Sequence, residues 1–183
     1  MRSLRFVSLI MLLALAGCAH TQTGTYTVEE PGPYLLDVGD TVRINVYGDE
    51  GLSDTYRVDD IGNVALPLVG RVKAKGVTTD ALTRRVTSAL ANGYLHDPSV
   101  AIEIAGHRPF YIQGAVINSG EFSYTFGMTA RAAVSAAGGF TPTANRSSVR
   151  LYRQQGSEME SRDIDLDVPI LPGDNIVVSE RWL

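Results

Sequence analysis

Two stretches of the sequence share one pattern and decide the fold of the regions around them: LDVGDTVRINV, residues 36–46, and ILPGDNIVVSE, residues 170–180. In each stretch a Gly-Asp pair precedes apolar residues at every second position. Gly-Asp is a turn signal, and an apolar period of two is typical of a half-buried strand. Because such turns before strands are common, the likeness is compatible with coincidence as well as with a shared structural role.

The region after the first stretch is predicted to be a small α+β unit that ends near residue 105. Over residues 76–94 the apolar period changes to three and four, which predicts a helix that Thr78 or Thr79 can cap and Asn92-Gly93 ends. Short strands with tight turns are expected before the helix, and another strand after it. The turns are expected at Gly51, Gly62-Asn63, Pro67 and Gly70, and the last strand at Val100, Ile102 and Ile104.

The region before the second stretch is predicted to hold a hairpin, a short helix and more strands. The hairpin has one strand over residues 111–116, a turn over residues 118–120 and a return strand over residues 121–124. Thr129 can cap an alanine-rich helix, whose small residues allow it to lie close to a sheet. Strands follow over residues 147–154 and 161–168, and the last one is expected to run to Trp182-Leu183. This order of elements is that of a ubiquitin-like β-grasp.

The N-terminal segment has the layout of a secretory signal: Arg2 and Arg5 precede the apolar run FVSLIMLLAL, residues 6–15. The sequence then reads Leu-Ala-Gly-Cys and ends at Cys18, the only cysteine in the chain. This tetrapeptide resembles the lipobox of bacterial lipoproteins. The resemblance implies cleavage between Gly17 and Cys18 and acylation of the Cys18 thiol, and Ala19 in place of aspartate implies the outer membrane. The alternatives are a buried helix or a plain secretory signal with a chance cysteine.

Composition argues against nucleic-acid binding and against a fold held by disulfides. Residues 1–17 contain two arginines and no acidic residue. The rest of the chain therefore has 14 of the 16 basic residues and all 20 acidic ones, a net charge of −6. A basic footprint for nucleic acid is therefore missing. A single cysteine makes no internal disulfide, so core burial has to hold the fold.

No catalytic, cofactor-binding or metal-binding residues are predicted. The three histidines, residues 20, 96 and 107, lack ligand spacing. Asp163, Asp165 and Asp167 alternate with aliphatic residues, which favours a strand over a calcium loop. The adjacent acids at 49–50 and 59–60 diverge in an extended chain and do not make a glycosidase pair.

Taken together, these features resemble the bacterial polysaccharide export family, the Wza-type outer-membrane auxiliary proteins, with an export domain followed by an SLBB domain. The resemblance implies a signal peptide at residues 1–17, a tether at 18–32, the export domain at 33–106 and a β-grasp SLBB domain at 107–183. The matching positions in the export domain are Tyr34, Gly39-Asp40, Ile44, Val46, Val58, Gly62, Leu66-Pro67, Gly70, Gly76-Val77-Thr78, Tyr94 and Asp97-Pro98. Those in the SLBB domain are Gly114-Ala115-Val116, Asn118, Gly120, Met128-Thr129, Ala137-Gly138-Gly139-Phe140, Val149 and Arg153.

The family resemblance implies a lipid-anchored protein of the outer membrane that faces the periplasm of a Gram-negative bacterium. The resemblance also implies that copies of the protein form a homo-oligomeric ring through which capsular polysaccharide or exopolysaccharide passes. The implied partners are the polysaccharide, the outer-membrane lipid, an inner-membrane co-polymerase and, because no C-terminal pore helix is found, a separate outer-membrane β-barrel. The alternatives are a glycan-binding lipoprotein that transports nothing and a scaffolding lipoprotein of the envelope.

Overall fold

The structure, a computed structural model, describes residues 32–181. Within this range it is mostly strands with two helices, the mixed α and β content that the sequence predicts. The strands form sheets of three, five and two strands, in the orders β2-β1-β5, β7-β6-β10-β8-β9 and β3-β4. The elements are β1 (Thr41–Val46), β2 (Asp49–Arg57), β3 (Asn63–Leu66), β4 (Gly70–Lys73), α1 (Thr79–Ala91), β5 (Val100–Gly106), β6 (Phe110–Gly114), β7 (Gly120–Phe122), α2 (Ala130–Ala136), β8 (Ser148–Gln155), β9 (Glu158–Asp165) and β10 (Asn175–Val178).

The first hydrophobic core lies between the three-stranded antiparallel sheet and helix α1. Strand β1 is central, and its alternate residues are buried as the period of two predicts. The side chain of Thr78 accepts a hydrogen bond from the Ala81 amide, so Thr78 is the N-cap and Thr79 is the first helical residue. Helix α1 then buries its apolar stripe in the core. The buried residues of β1 are Val42, Ile44 and Val46, and those of α1 are Leu82, Val86 and Leu90.

Strand β2 departs from the sequence prediction, because it runs unbroken for nine residues through Gly51, where a turn was expected. The register between β1 and β2 shifts between Ile44 and Val46, which is a β-bulge. The Ser53 hydroxyl accepts a hydrogen bond from the Val46 amide at 2.9 Å and lies 2.9 Å from the Asp49 carbonyl, to which it donates. A side chain thus replaces ladder bonds at the irregularity, and the strand continues past the glycine.

The second hydrophobic core is formed by the five-stranded sheet and helix α2. Strands β6 and β10 are parallel neighbours at the centre, and the other neighbours are antiparallel. Thr129 is the N-cap of α2, as predicted, and accepts a hydrogen bond from the Ala132 amide. Of the alanines at 132, 133, 136 and 137, only Ala133 and Ala137 are buried; the other two face solvent.

The sequence placed the ends of strands β6, β7, β9 and β10 too far along the chain. Strand β6 ends at Gly114 rather than at residue 116, because Gly114 has a φ of +93° and a Cβ there would collide with the Val178 carbonyl. That carbonyl accepts the Ala115 amide at 2.8 Å. Strand β10 ends at Val178, and Glu180 then bridges to Ala144. The expected strand end at Trp182-Leu183, the signal at 1–17 and the tether up to residue 31 lie outside the described residues.

The two cores belong to one compact unit and are joined by residues 107–109. Within residues 32–181, neither helix is long and apolar enough to cross a membrane.

Candidate functional site at the junction of the two cores

The junction brings together the two Gly-Asp turns that the sequence singles out. Asp40 and Asp174 are 0% and 1% exposed, and they are the buried charged residues of the described chain. The two turns are built alike. In each, the aspartate amide donates to the carbonyl three residues earlier, and the aspartate carboxylate accepts the amide of that same residue: Asp37 in the first turn and Leu171 in the second. The shared sequence pattern therefore corresponds to a shared local structure.

Asp174 is neutralised by a guanidinium from its own core. The Arg153 Nε and Nη2 atoms donate to the two carboxylate oxygens at 2.8 and 2.7 Å. This fork is the strong, bidentate form of an ion pair. Its hydrogen bonds to Asp174 raise the pKa of Arg153. Arg153 was among the SLBB-like positions of the sequence, but its partner was not predicted.

Asp40 is satisfied mainly by neutral donors. Its carboxylate accepts the Tyr34 hydroxyl at 2.6 Å, the Asp37 amide at 2.8 Å and the Arg108 amide at 2.9 Å. The Arg108 Nη1 atom lies farther away, at 3.7 Å from Oδ2. Burial, followed by the hydrogen bond to Asp40, raises the pKa of Tyr34 well above its usual value.

Arg108 connects the two turns. Its amide binds Asp40, and its Nη2 atom lies 3.5 Å from the Asp37 carboxylate. A Cβ on Gly39 would meet the Arg108 Cβ at 3.5 Å, and a Cβ on Gly173 would lie 2.7 Å from its Nε. The arginine thus packs on the backbone of both glycines, each with positive φ. The neighbouring Pro109 carbonyl accepts the Gly173 amide at 2.9 Å.

A row of aromatic rings lies behind the arginine. His107 makes edge contacts with Tyr34 and Tyr124, with ring centroids 4.6 and 5.3 Å apart. The His107 Nδ1 atom is buried without a hydrogen-bond partner. Burial lowers the pKa of His107. The charge of Asp40 has the opposite, smaller effect, because it favours the protonated ring. The histidine is therefore neutral at pH 7 and works as a packing group.

A polar cleft of about 500 Å³ opens beside the junction. Its charged walls include Lys75, whose ammonium binds the Asp37 carboxylate at 2.8 Å. Partial burial alone would raise the pKa of Asp37, but hydrogen bonds from Lys75 and the Val38 amide, with the Arg108 charge, lower it instead. The cations of the cleft are thus engaged by carboxylates, and the arrangement is suited to holding the two cores in one geometry.

The residues that the sequence analysis singled out do not come together in one site of the described structure. Cys18 and Gly17 lie outside the described residues. The strand interpretation of the 163–167 acids is confirmed for Asp163 and Asp165, which lie in β9 on either side of the buried Ile164. Asp167 lies beyond the strand and pairs with Arg131 at 2.7 Å. Across residues 32–181, no group of three or more His, Cys, Asp or Glu residues could hold a metal ion.

The sequence missed the roles of His107 and Arg108. No local pattern marks them, because Asp40 and Tyr34 lie 68 and 74 residues before Arg108. The one available signal was their position between two predicted units.

Comparison with known proteins places this junction between two family regions. The model of polysaccharide biosynthesis/export proteins matches residues 28–105, and that of the SLBB domain matches residues 109–163. His107 and Arg108 fall between the two matched regions.

Relatives with described roles include two polysaccharide proteins. The exopolysaccharide production protein ExoF of Rhizobium meliloti (strain 1021) is 30% identical over an alignment of 152 residues, which covers 76% of this chain and 35% of ExoF. The polysialic acid transport protein KpsD of Escherichia coli is 33% identical over 89 residues, 48% of this chain and 16% of KpsD. The chain thus spans about a third of ExoF and a smaller share of KpsD. With an export domain followed by an SLBB domain, it belongs to the polysaccharide export family.

Proposed function

We propose that the protein is a lipid-anchored periplasmic component of capsular or exopolysaccharide export, and that its copies form an oligomeric conduit for the polymer. The observation that carries the proposal is the ordered pair of family regions, at residues 28–105 and 109–163, in one chain. The similarity to an exopolysaccharide production protein over 152 residues supports it. In this function the protein is not an enzyme.

The proposed anchor is the thiol of Cys18, freed as the first mature residue by cleavage after Gly17. The support is the sequence Leu-Ala-Gly-Cys behind an apolar run. Several acyl chains on one residue, at about 0.8 kcal/mol for each buried CH₂, make a stable attachment. Ala19 favours the outer membrane over the inner one. Residues 18–32 then act as a tether for the folded part.

The proposed domains are the export domain at 33–106 and the SLBB domain at 107–183, the second with a β-grasp fold. In support, the five-stranded sheet has a central parallel pair, β6 and β10, and helix α2 lies between the two hairpins in sequence. Two hydrophobic clusters that divide near residue 107 support the boundary.

A conduit built from identical copies closes only if each copy holds a fixed shape. The junction supports such a role, because Arg108 and the Asp40 carboxylate tie the connecting segment to the first Gly-Asp turn, and Pro109 ties it to the second. The proposed partners are other copies of the chain, the exported polysaccharide, an inner-membrane co-polymerase and a separate exit protein in the outer membrane.

The test is deletion of the gene under polymer-producing conditions, followed by complementation. We expect secreted polysaccharide to fall at least about tenfold and to return with the wild-type gene. The Cys18→Ser variant should leave the membrane fraction and restore little secretion, and mass spectrometry of the wild-type protein should find an acylated Cys18. Unchanged secretion after deletion would contradict the export function. An unmodified Cys18 would contradict only the anchor.

A further inference from the structure

The face of the five-stranded sheet opposite helix α2 carries groups that the junction does not use. We call it the outer sheet face and define it by Tyr111, Arg150, Tyr152, Asp163, Asn175 and Val177. The register places these side chains on one side of the sheet, because Asn175 pairs with both Tyr111 and Tyr152, and Arg150 pairs with Asp163 and Val177. Their strand neighbours Ile112, Leu151 and Ile176 point into the core and are buried.

Two tyrosine rings flank Asn175 on this face. Tyr111 is 44% exposed, and Tyr152 lines a small pocket of about 230 Å³ together with Arg150, Asp163 and Ser179. The backbones that carry the two rings are two strand spacings apart, which is about 10 Å. Aromatic rings bordered by hydrogen-bonding groups are suited to pyranose sugars, because the C–H face of a pyranose packs on the ring while its hydroxyls reach the polar groups.

The polar groups on the face form a fixed set of donors and acceptors. Arg150 donates from Nε and Nη2 to the two oxygens of Asp163 at 2.9 and 3.1 Å. The fork uses two of the five N–H donors of the guanidinium and leaves acceptor positions on the carboxylate. Hydrogen bonding to Asp163, with a smaller contribution from Tyr152, raises the pKa of Arg150.

Asn175 supplies an independent indication of a ligand. Its Oδ1 atom is buried and lacks a hydrogen-bond partner. Buried polar atoms without partners are few in native proteins, and each one calls for an explanation. Because this atom is shielded from solvent, a sugar hydroxyl on the outer sheet face would satisfy it after the Asn175 amide turns toward the ligand.

The charge of the face selects the class of ligand. Arg150 and Asp163 neutralise each other, and the other charged residues that the register places on the same side are acidic: Glu121 pairs with Tyr111, and Asp165 pairs with Ser148. A polyanion would be repelled, whereas a neutral, hydroxyl-rich chain meets matching donors and acceptors. We propose that the outer sheet face binds a neutral segment of a polysaccharide by ring stacking on Tyr111 and Tyr152. The inference rests on the proposed function in taking the cargo to be a polysaccharide.

The experiment uses the full chain extracted in mild detergent and fluorescein-labelled hexasaccharides as probes: cellohexaose, maltohexaose, mannohexaose and the anionic hexagalacturonate. We expect at least one neutral probe to bind saturably and to raise fluorescence polarisation, and hexagalacturonate to bind at least about tenfold more weakly. Tyr111→Ala with Tyr152→Ala should weaken the neutral probe about tenfold, since ring stacking contributes roughly 1.4 kcal/mol. Tyr47→Ala is the matched control, because Tyr47 is 70% exposed on the β1–β2 turn and should leave binding unchanged.

Hydroxyl-radical footprinting of the wild-type protein gives a second readout that does not depend on variants folding. A bound neutral probe should protect Tyr111 and Tyr152 from oxidation and leave Tyr47 unprotected. The inference is overturned if none of the three neutral probes binds, if the anionic probe binds better, or if protection falls elsewhere. Loss of secretion on gene deletion, together with no binding at this face, would retain the export function and reject the inference. Binding at the face, together with unchanged secretion after gene deletion, would retain the inference and reject the export function.

Discussion

The two Gly-Asp turns have the same backbone design and different partners. Each aspartate is buried and bonds reciprocally to the residue three positions earlier. Asp174 meets a guanidinium fork from Arg153 within its own core, whereas Asp40 meets the Tyr34 hydroxyl and the amide of Arg108. A local sequence pattern is thus used twice, once to neutralise a charge inside a core and once to hold the connecting segment.

The comparison predicts unequal responses when one carboxylate oxygen is replaced. Asp174→Asn places an amide N–H against the Arg153 fork and leaves a largely buried guanidinium without a counter-charge, so we expect a loss of about 3–5 kcal/mol in the free energy of unfolding. Asp40→Asn faces neutral donors, one of which is a hydroxyl that can rotate, and should lose about 1–3 kcal/mol. Urea denaturation with unchanged m-values measures both.

Asp163→Asn is the control for this pair of variants, because the Arg150–Asp163 fork is exposed on both sides. We expect little change in stability there. Equal losses at residues 40 and 174 would contradict the contrast between the two turns.

The glycines of the two turns should also respond unequally. Alanine at either position has an unfavourable positive φ, which costs about 1–2 kcal/mol. Gly173→Ala should cost more than Gly39→Ala, because its Cβ would lie 2.7 Å from the Arg108 Nε, whereas the Gly39 contact of 3.5 Å is an ordinary one. In an Arg108→Ala background the difference should vanish, as measured by thermal unfolding of the four variants. A difference that persists there would show that Arg108 is not its cause.

The tyrosines that flank His107 provide a smaller test. Tyr34→Phe removes a 2.6 Å hydrogen bond to a buried carboxylate and should lower stability by about 1–2 kcal/mol. Tyr124→Phe removes only an acceptor of the Gly127 amide at 3.3 Å and should have a smaller effect. If chemical denaturation ranks these two variants in the opposite order, the Asp40 network is not what stabilises the junction.

The smallest predicted effect is a dependence on pH. The pKa of folded His107 is lowered from 6.5, so the unfolded chain binds a proton first as the pH falls. Stability from this group is therefore fully present above about 6.5 and declines as the pH falls toward the folded pKa. The groups near the His107 ring are Tyr34, Tyr124, Asp40 and Arg108. Asp37 has a lowered pKa, so it changes its charge only in more acidic solution.

A pH series of unfolding free energies from 7.5 to 5 tests this statement. Wild-type protein should lose stability over that range more steeply than the His107→Gln variant. Parallel profiles would mean that another group titrates.

The sequence predicts elements whose cause is local. The alternation of Val42, Ile44 and Val46 and the cap at Thr129 are confirmed because each depends on residues within a few positions. The turn predicted at Gly51 was wrong, because hydrogen bonds of the Ser53 hydroxyl allow strand β2 to continue through the glycine. The predicted end of β6 was too late, because the Val178 carbonyl that limits the strand comes 64 residues after Gly114. For the same reason the junction was not predicted.

The proposed function requires that identical copies of this chain assemble into a conduit for polysaccharide. Electron microscopy of the full chain, extracted from membranes in mild detergent, tests it most directly. The account predicts closed rings with a central lumen, of one size in the wild type and disrupted or variable in the Asp40→Ala variant, which removes the carboxylate that accepts the Arg108 amide. Single copies without rings, in a preparation whose polypeptide is intact and folded, would contradict it.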